Sequence, residues 1–338
     1  MVKTLKWRWI GVLALAGVLA LLAILVPALR KDSATMEPET LRVAAPAVAT
    51  LALHMIADDQ NYWQLEGLVV QTTQTVTGKA ALEQLLAQEA DLAYPADTPF
   101  VISAMLDQPV RLLTTTGTVR NIVTIIGRKD RNVSNPQDLS GKRVGIVANT
   151  AGDYFLWAFL IRHGIAPASV ELVSMPPDKM SEQLLSGAVD AVSIWDPFAQ
   201  RILTQLGPRG THLQAPDAYV LSQLVVAHRD ALPAKASAMT KYLRALLRAE
   251  RYLAEHTEKS IELIAARTGM SVEQLRQEWG HYDFGLRLHQ SQLITFESNE
   301  RWARQKGTYP GTQSTNLLPY IYLDVMKDVA PQNITLIH

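Results

Sequence analysis

The sequence contains no cysteine. Disulfide bonds, thiolate nucleophiles, cysteine-ligated zinc, iron–sulfur clusters and lipid attachment through an N-terminal cysteine are therefore excluded. The formal net charge is zero, because 32 lysines and arginines balance 32 aspartates and glutamates. With no overall field to attract a polyanion, nucleic acid is not an expected partner.

The motifs of several common kinds of active site are also missing. The chain has no GxSxG, no phosphate-binding P-loop and no GxGxxG following a strand. Its eight histidines are scattered, and no pair has the HxxxH or HExxH spacing of a zinc site. The sequence therefore predicts no metal and no cofactor, and we expect binding without catalysis.

One long apolar run is present, at the N-terminus. Three basic residues precede it, and it extends from Trp9 to Leu29. A basic start followed by an apolar core is typical of an export signal, and about 20 apolar residues suffice to cross a bilayer. We expect residues 9–29 to remain as an inner-membrane anchor, with the chain from Arg30 onward on the periplasmic side. A signal peptide cleaved after Ala28 is the alternative.

After a polar linker, strand-like and helix-like patterns alternate along the chain. Strands predicted at Leu41–Pro46 and Leu68–Gln71 enclose a helix from about Thr50 to Tyr62, and another helix follows at Gly78–Gln88. Strands separated by helices of this length predict parallel sheets with right-handed crossovers.

The alternating pattern then occurs a second time. EQLLAQEADLAYPADTPF at 83–100 aligns with EQLLSGAVDAVSIWDPF at 182–198, at a shift of 99 residues that pairs Asp91 with Asp190. LRVAAPAVAT at 41–50 resembles KRVGIVANTA at 142–151. Two halves with the same order of elements predict two similar α/β lobes.

Further β-rich runs lie where the two halves join. Val110–Thr116 and Asn121–Arg128 lead out of the first half, and Tyr219–Ala227 follows the second. From Asp230 to about Lys327 the pattern is helical, including an amphipathic helix at Met239–Glu255. The predicted organisation is a signal anchor or signal peptide (1–29), a linker (30–39), the first part of lobe 1 (40–124), lobe 2 (125–218), and a return to lobe 1 with C-terminal helices (219–338).

Two stretches of the second half carry a family pattern. Asn135–Ile165 contains DLSGKRVG and a polar turn before a helix, and Val170–Phe198 ends in GAVDAVSIWDPF. With these motifs the chain resembles the nitrate/sulfonate/taurine-type solute-binding proteins of ABC importers, a superfamily that includes the thiamine-pyrimidine synthases. The first half follows the pattern more loosely, with Asn61 replacing the usual glycine, and Asn316–Ile337 is also similar to these proteins.

The resemblance implies a fold and a function. The implied fold is α/β, a two-lobed periplasmic-binding-protein fold (type II, Venus flytrap) with a helical C-terminal region, here preceded by an N-terminal apolar helix. The implied function is extracytoplasmic capture of a small polar or anionic molecule, of the nitrate, sulfonate, taurine or pyrimidine-precursor class. The expected partners are this ligand and an inner-membrane ABC permease with a separate ATPase.

Two other functions are considered beside importer binding. The first is an enzyme, as the similarity to the thiamine-pyrimidine synthases would imply. That activity requires a cysteine-rich iron site, which a chain without cysteine does not have. The alternative is a membrane-anchored sensor that reports the ligand to a separate signalling partner.

Several corners between a strand and a helix are candidates for ligand contact. In parallel α/β sheets, ligands lie beyond the carboxyl ends of the strands, where helix N-termini point. Asn149, Thr150 and Gly152 form a turn suited to an anion, because short polar side chains and close backbone approach expose N–H groups. Thr50 is a weaker candidate of the same kind. Simple helix capping is the alternative for both corners.

The other candidates carry an aromatic ring or a charge. Trp195 and Asp196 follow a predicted strand, and Asp97 occupies the equivalent corner of the first half; each aspartate either caps a helix or binds a ligand donor. Trp195 either lines the pocket or packs in the core. Tyr94 is either a stacking wall or a core tyrosine, and Arg120 is either a counter-charge for an anion or a solvated loop residue.

Overall fold

The strands of the described residues form two separate sheets. The computed structural model describes residues 37–216, 218–309, 311 and 313–337. The strands of this part are β1 (Glu39–Pro46), β2 (Leu68–Thr75), β3 (Leu92–Ala93), β4 (Val110–Arg120), β5 (Val123–Arg128), β6 (Arg143–Ile146), β7 (Glu171–Ser174), β8 (Ala191–Trp195), β9 (Gly210–Leu213), β10 (Val220–His228) and β11 (Tyr282–Arg287). A six-stranded sheet has the order β11-β4-β10-β3-β1-β2, and a five-stranded sheet has the order β7-β6-β8-β5-β9. Lobe 1 denotes the structure built on the first sheet and lobe 2 that built on the second.

Helices alternate with these strands. They are α1 (Ala52–Asp59), α2 (Tyr62–Leu65), α3 (Gly78–Leu86), α4 (Asp97–Met105), α5 (Ala151–Arg162), α6 (Met180–Ser186), α7 (Phe198–Leu206), α8 (Leu232–Glu255), α9 (Thr257–Thr268), α10 (Val272–Glu278), α11 (Gln290–Gln305) and α12 (Asp324–Val329). The alternation of strands and helices makes this an α/β structure. Both sheets are mixed, because each contains parallel and antiparallel strand pairs.

The two sheets repeat one arrangement. In lobe 1, β1 pairs in parallel with β2 and β3, and β3 pairs antiparallel with β10. In lobe 2, β6 pairs in parallel with β7 and β8, and β8 pairs antiparallel with β5. The sequence repeat thus corresponds to two parallel trios of strands, each bordered by one antiparallel strand.

An arginine–aspartate clasp holds the same place in each lobe. The Arg42 backbone N–H and guanidinium donate to Asp91 at 2.9 and 2.8 Å, and the Asp91 N–H donates to the Arg42 carbonyl at 2.8 Å. In lobe 2, Arg143 donates in the same way to Asp190 at 3.1 and 3.2 Å, and the Asp190 N–H returns a bond of 2.8 Å. Each clasp fixes the first strand of its parallel trio against the third, β1 against β3 in lobe 1 and β6 against β8 in lobe 2.

The chain passes between the sheets twice. It leaves lobe 1 between β4 and β5, and it returns between β9 and β10, where β10 inserts between β3 and β4. The predicted bounds at 40–124, 125–218 and 219–338 stay a prediction. The predicted signal or anchor at 1–29, and most of the linker, lie outside the described residues. Within the described ranges, no helix is both long and apolar enough to cross a membrane.

The structure corrects several predicted elements. The C-terminal region is not helical throughout, because Tyr282–Arg287 forms β11 and pairs antiparallel with β4. The helix predicted at Met239–Glu255 already begins at Leu232, and the helix predicted from Thr50 to Tyr62 is divided into a 3₁₀ turn, α1 and α2. Asn61 precedes α2 at φ 55°, a left-handed conformation that asparagine tolerates in place of glycine.

We predict that loss of the clasp in lobe 1 destabilises the protein strongly. Burial alone raises the pKa of Asp91, but bonds from Arg42 and Lys235 outweigh burial and hold that pKa below its ordinary value. Asp91→Ala removes the charge-assisted bonds of the clasp. We expect it to lower the free energy of unfolding at pH 7, measured with urea, by about 2–3 kcal/mol. The loss should shrink as the pH falls below about 4, because protonation of Asp91 then weakens the clasp in the unmodified protein.

Asp58→Ala is the control for this experiment. Asp58 pairs with Arg267 at 3.0 Å, and both side chains are 44% exposed. Such an exposed pair contributes less than about 1 kcal/mol. Equal losses in the two variants would contradict the structural importance of the clasp.

Candidate ligand-binding site

A pocket of about 60 Å³ lies where the carboxyl ends of the parallel strands of both lobes meet. Both lobes contribute to its wall, as expected for a ligand site in sheets of this kind. The lining residues are Pro46, Val48, Thr50, Val76, Thr77, Gly78, Lys79, Ala96, Pro99, Ile122, Thr150, Ala151, Trp195, Asp196, Leu221 and Gln223. We refer to this pocket as the cleft.

Helices from both lobes begin at the cleft. Thr77 and Gly78 start α3 in lobe 1, and Thr150 and Ala151 start α5 in lobe 2. The first N–H groups of a helix have no acceptor within the helix, and this end carries a partial positive charge. The cleft therefore suits an anion or a ligand rich in acceptor oxygens.

Gly78 allows α3 to begin directly against the neighbouring strand corner. A Cβ atom at this position would lie 2.8 Å from the Tyr94 carbonyl oxygen and 2.9 Å from the Pro95 Cα. Because both contacts are with backbone, a larger side chain would push the helix start away from the cleft. The Thr77 hydroxyl accepts a hydrogen bond of 3.0 Å from the Ala80 N–H and fixes the same turn.

Gln223 organises the lobe 1 wall. It lies on β10, and its side-chain nitrogen donates to the carbonyls of Tyr94 and Pro95 at 2.9 and 3.0 Å. Its oxygen accepts a 2.7 Å bond from the Thr50 hydroxyl. Sequence reasoning missed Gln223 because β10 enters the sheet more than 100 residues after the corners that it joins.

Lys79 brings a cation to the cleft. Its ammonium lies 3.4 Å from the Ala148 carbonyl of lobe 2 and 3.9 Å from Glu83, and its side chain is 36% exposed. The sequence analysis missed this residue as well. The available signal was its place in the first turn of a predicted helix that directly follows a strand.

Trp195 and Asp196 form the lobe 2 wall. Trp195 ends β8 and is backed by Gly152, where an added Cβ would lie 3.3 Å from the indole. Asp196 is 8% exposed, and its Oδ1 has no hydrogen-bond partner among the described residues. Burial, reinforced by the charge of Glu278, raises the pKa of Asp196 to about 7, although the Gln200 N–H favours the ionised form.

Asp196 does not occupy the N-cap position of the following helix, although the Gln200 N–H in the first turn of that helix bonds its carboxyl group. Helix α7 begins at Phe198 with Pro197 at the N-cap position, so Asp196 lies one residue earlier. Asp97 also differs from a cap, because α4 begins at Asp97 itself with Ala96 before it. Thr150 does occupy the N-cap of α5, but its hydroxyl donates back to the Val147 carbonyl at 2.7 Å.

Four of the nine predicted site residues line the cleft: Thr50, Thr150, Trp195 and Asp196. Two others are buried in lobe 1. The Tyr94 hydroxyl bonds the Tyr242 hydroxyl at 2.8 Å in the core. Asp97 accepts hydrogen bonds from Tyr219 and from the Ser222 N–H, and burial raises the pKa of Asp97 to about 6.

The remaining three lie close to the cleft without lining it. Asn149 adopts a left-handed conformation at φ 63°, and its N–H donates to Asp153 at 2.8 Å. Gly152 packs behind Trp195, as described above. Arg120 is exposed at the crossing between β4 and β5. Ligand contact by any of the nine residues stays a prediction.

No cluster of three or more potential metal ligands occurs within the part of the chain that the structure describes. The donor set of the cleft consists of hydroxyls, amides, one ammonium and one carboxyl. Such a set binds small ions and polar molecules through hydrogen bonds and charge.

We predict that Asp196→Asn stabilises the protein at high pH but not at low pH. The raised pKa means that Asp196 stays neutral in the folded protein up to about pH 7, whereas it ionises in the unfolded chain above about pH 4, so the free energy of unfolding falls between these two pH values and levels off above pH 7. Asparagine has a similar shape and no charge. The variant should therefore gain up to about 4 kcal/mol at pH 8 and nothing at pH 4, measured by urea unfolding. Parallel pH profiles of the two proteins would contradict the burial of an ionisable carboxyl.

Solved structures of the periplasmic-binding-protein fold are similar to this chain. The alkanesulfonate-binding protein SsuA from Xanthomonas axonopodis pv. citri, bound to MOPS, has a TM-score of 0.73 and 18% identity, covering 85% of this chain and 99% of that chain. The desulfurization enzyme DszB has a TM-score of 0.63 and 16% identity, covering 87% and 99%. The protein therefore has the periplasmic-binding-protein fold, which occurs in binding proteins and in an enzyme.

The sequence comparisons narrow this class to a family. The family model described as NMT1/THI5 like matches residues 50–260, more than half of the 338 residues, so the chain belongs to the NMT1/THI5 like family. The taurine-binding periplasmic protein of Escherichia coli (strain K12) is 23% identical over 139 residues, 41% of this chain and 43% of that protein. The chain spans less than two thirds of the length of the curated relatives it matches.

Proposed function

We propose that the protein is the solute-binding protein of an ABC importer and that it captures a small sulfonate or a similar anion between its lobes. The observation that carries this proposal is the cleft, where helices α3 and α5 of opposite lobes begin beside the Lys79 ammonium. The family, the taurine-binding relative and the structural similarity to SsuA support the same function.

The chemistry of the cleft fits an anion with an apolar part. A sulfonate has three oxygens that accept hydrogen bonds, and the helix N-termini and Lys79 supply donors and positive charge. Thr50 and Thr150 already donate within the protein, so their hydroxyl oxygens remain as acceptors and their main role is to shape the wall. Trp195 offers an aromatic face for the carbon chain of the ligand.

Capture takes place by closure of the lobes. In this proposal the ligand bridges α3 of lobe 1 and α5 of lobe 2, which favours the closed form because only that form provides both sets of donors. The closed protein then docks on an inner-membrane permease that works with a separate ATPase. This mechanism is that of a type II, Venus-flytrap receptor on the periplasmic side. In this proposal residues 9–29 anchor the protein to the inner membrane, or their cleavage releases it.

The proposal describes binding without turnover. DszB shows that the fold also supports an enzyme, but the relatives by sequence are named as binding proteins. The cleft lining contains no cysteine or histidine, so it offers neither a thiolate nor an imidazole as nucleophile or base. No observation favours the alternative of a membrane-anchored sensor, which stays a prediction.

A thermal-shift screen tests the proposed function. We expect taurine or alkanesulfonates to raise the melting temperature of the purified protein, because a ligand at 100 times its Kd stabilises the folded state by about 2.7 kcal/mol. Nitrate, aminopyrimidines and amino acids are the comparison compounds. A shift with one of these and none with any sulfonate would overturn the sulfonate assignment.

We predict that Lys79→Gln weakens sulfonate binding about 10- to 100-fold. The change removes a charge-assisted hydrogen bond worth roughly 1.5–3 kcal/mol while keeping a polar, unbranched side chain that is only one atom shorter. Isothermal titration with ethanesulfonate measures the effect. Lys179→Gln is the matched control, since Lys179 is exposed and pairs only with Glu182 at 3.5 Å among the described residues. Equal affinity of the Lys79 variant and the unmodified protein would remove Lys79 from the site.

A further inference from the structure

A second pocket of about 60 Å³ adjoins the cleft and shares Asp196 and Ile122 with it. We refer to it as the hinge-side compartment, because it borders the crossing of the chain from β4 to β5. Both lobes line it. The lining residues are Val119, Arg120, Asn121, Ile122, Thr124, Asp196, Ala199, Gln200, His212, Gln214, Glu278, His281 and Tyr282.

Two buried polar atoms of this compartment have no partner among the described residues. One is Asp196 Oδ1 at the end of β8 in lobe 2, and the other is the Tyr282 hydroxyl at the start of β11 in lobe 1. A buried polar atom without a hydrogen bond is costly, and such atoms are few in folded proteins. Two of them lining one small compartment from opposite lobes indicate a shared missing partner.

The compartment also brings two carboxyl groups together. Burial raises the pKa of Glu278, which ends α10. The charge of Glu278 adds to burial in raising the pKa of Asp196, and both carboxylates add to burial in raising the pKa of Tyr282. The two acids therefore act on each other and on the same hydroxyl.

The cationic groups of the compartment do not neutralise this pair. Arg120 is an exposed side chain. Burial lowers the pKa of His212, so this ring is neutral at pH 7. His281 lowers the pKa of Glu278, but by less than burial raises it. Two buried acids with raised pKa values in one compartment favour a bound proton or a bound cation there.

We propose that Asp196, Glu278 and Tyr282 form a binding site for the protonated amine of the ligand, so that the ligand is a zwitterion with its anionic end in the cleft. An ammonium has three donors, and the three oxygen-bearing groups supply acceptors around the space that Asp196 shares with the cleft. Glu278 and Tyr282 are then residues that determine specificity. This inference rests on the proposed function, because the cleft must first hold the anionic end.

Paired ligands test the proposal. Isothermal titration at pH 8 of the full-length protein compares taurine with ethanesulfonate, and 3-aminopropanesulfonate with propanesulfonate. We expect an aminosulfonate to bind at least about tenfold more tightly than its partner without the amine. Glu278→Gln should weaken binding of the aminosulfonate about 3- to 30-fold and leave the amine-free partner unchanged, and Tyr282→Phe should act in the same direction with a smaller effect.

Glu273→Gln is the matched control, since Glu273 lies on the same helix with a 68% exposed side chain paired to Arg276. It should change neither affinity. Equal affinities for the members of each ligand pair would overturn the amine site. An equal loss for both members in the Glu278 variant would do so as well, because it would indicate a general effect on lobe closure. If none of the four sulfonates binds, the proposed function itself is wrong, and the amine site that rests on it is wrong as well.

The pH dependence supplies an independent readout. A bound ammonium replaces the proton of Asp196, so affinity for the aminosulfonate should fall as the pH is lowered from 8 to 6. Affinity for ethanesulfonate should instead rise over the same range, because a neutral Asp196 no longer repels the anion. The same slope for both ligands would overturn the proposal, and Glu278→Gln should flatten both slopes.

Discussion

The geometry of the cleft depends on the arginine–aspartate clasp that occurs once in each lobe. Asp91 and Asp190 each accept bonds from the side chain and backbone of an arginine on the first strand of the parallel trio in their lobe. Each clasp lies before the carboxyl ends of the strands, with each aspartate just ahead of the third strand of its trio, whereas the ligand-facing corners lie at the carboxyl ends. Fixing the register at one end determines which residues emerge at the other, because a slip of one residue would turn every side chain to the opposite face.

The sequence repeat was informative because it follows this constraint. The shift of 99 residues aligned Asp91 with Asp190, and the shorter match at 41–50 aligned the two clasp arginines, Arg42 and Arg143. The corner after each strand could therefore be located, and Thr50, Thr150, Trp195 and Asp196 were all found at the cleft. The depth of a side chain was harder to predict, because it depends on the layers that cover it, as the burial of Tyr94 against Tyr242 shows.

The sequence analysis missed residues whose role depends on contacts with distant parts of the chain. Gln223 arrives on the strand that returns from lobe 2, and Lys79 matters because it reaches the Ala148 carbonyl across the cleft. The strand at Tyr282–Arg287 is a short run between two helical segments, and it joins the sheet by pairing with β4. Such long-range pairing overrides local propensity, and a single sequence carries little record of it.

The insertion of lobe 2 between β4 and β10 has a consequence for the order in which the protein takes shape during synthesis. All strands of the five-stranded sheet lie between Val123 and Leu213, so that sheet can be completed before β10 has emerged, at the ribosome or on the far side of a membrane. The six-stranded sheet lacks its inner strand β10 until residue 228, and its edge strand β11 until residue 287. During that interval β3 and β4 expose unpaired edges, which are prone to join other chains. The half of the protein that is made first is therefore the half whose sheet is completed last, and its strand edges stay exposed for the longer time.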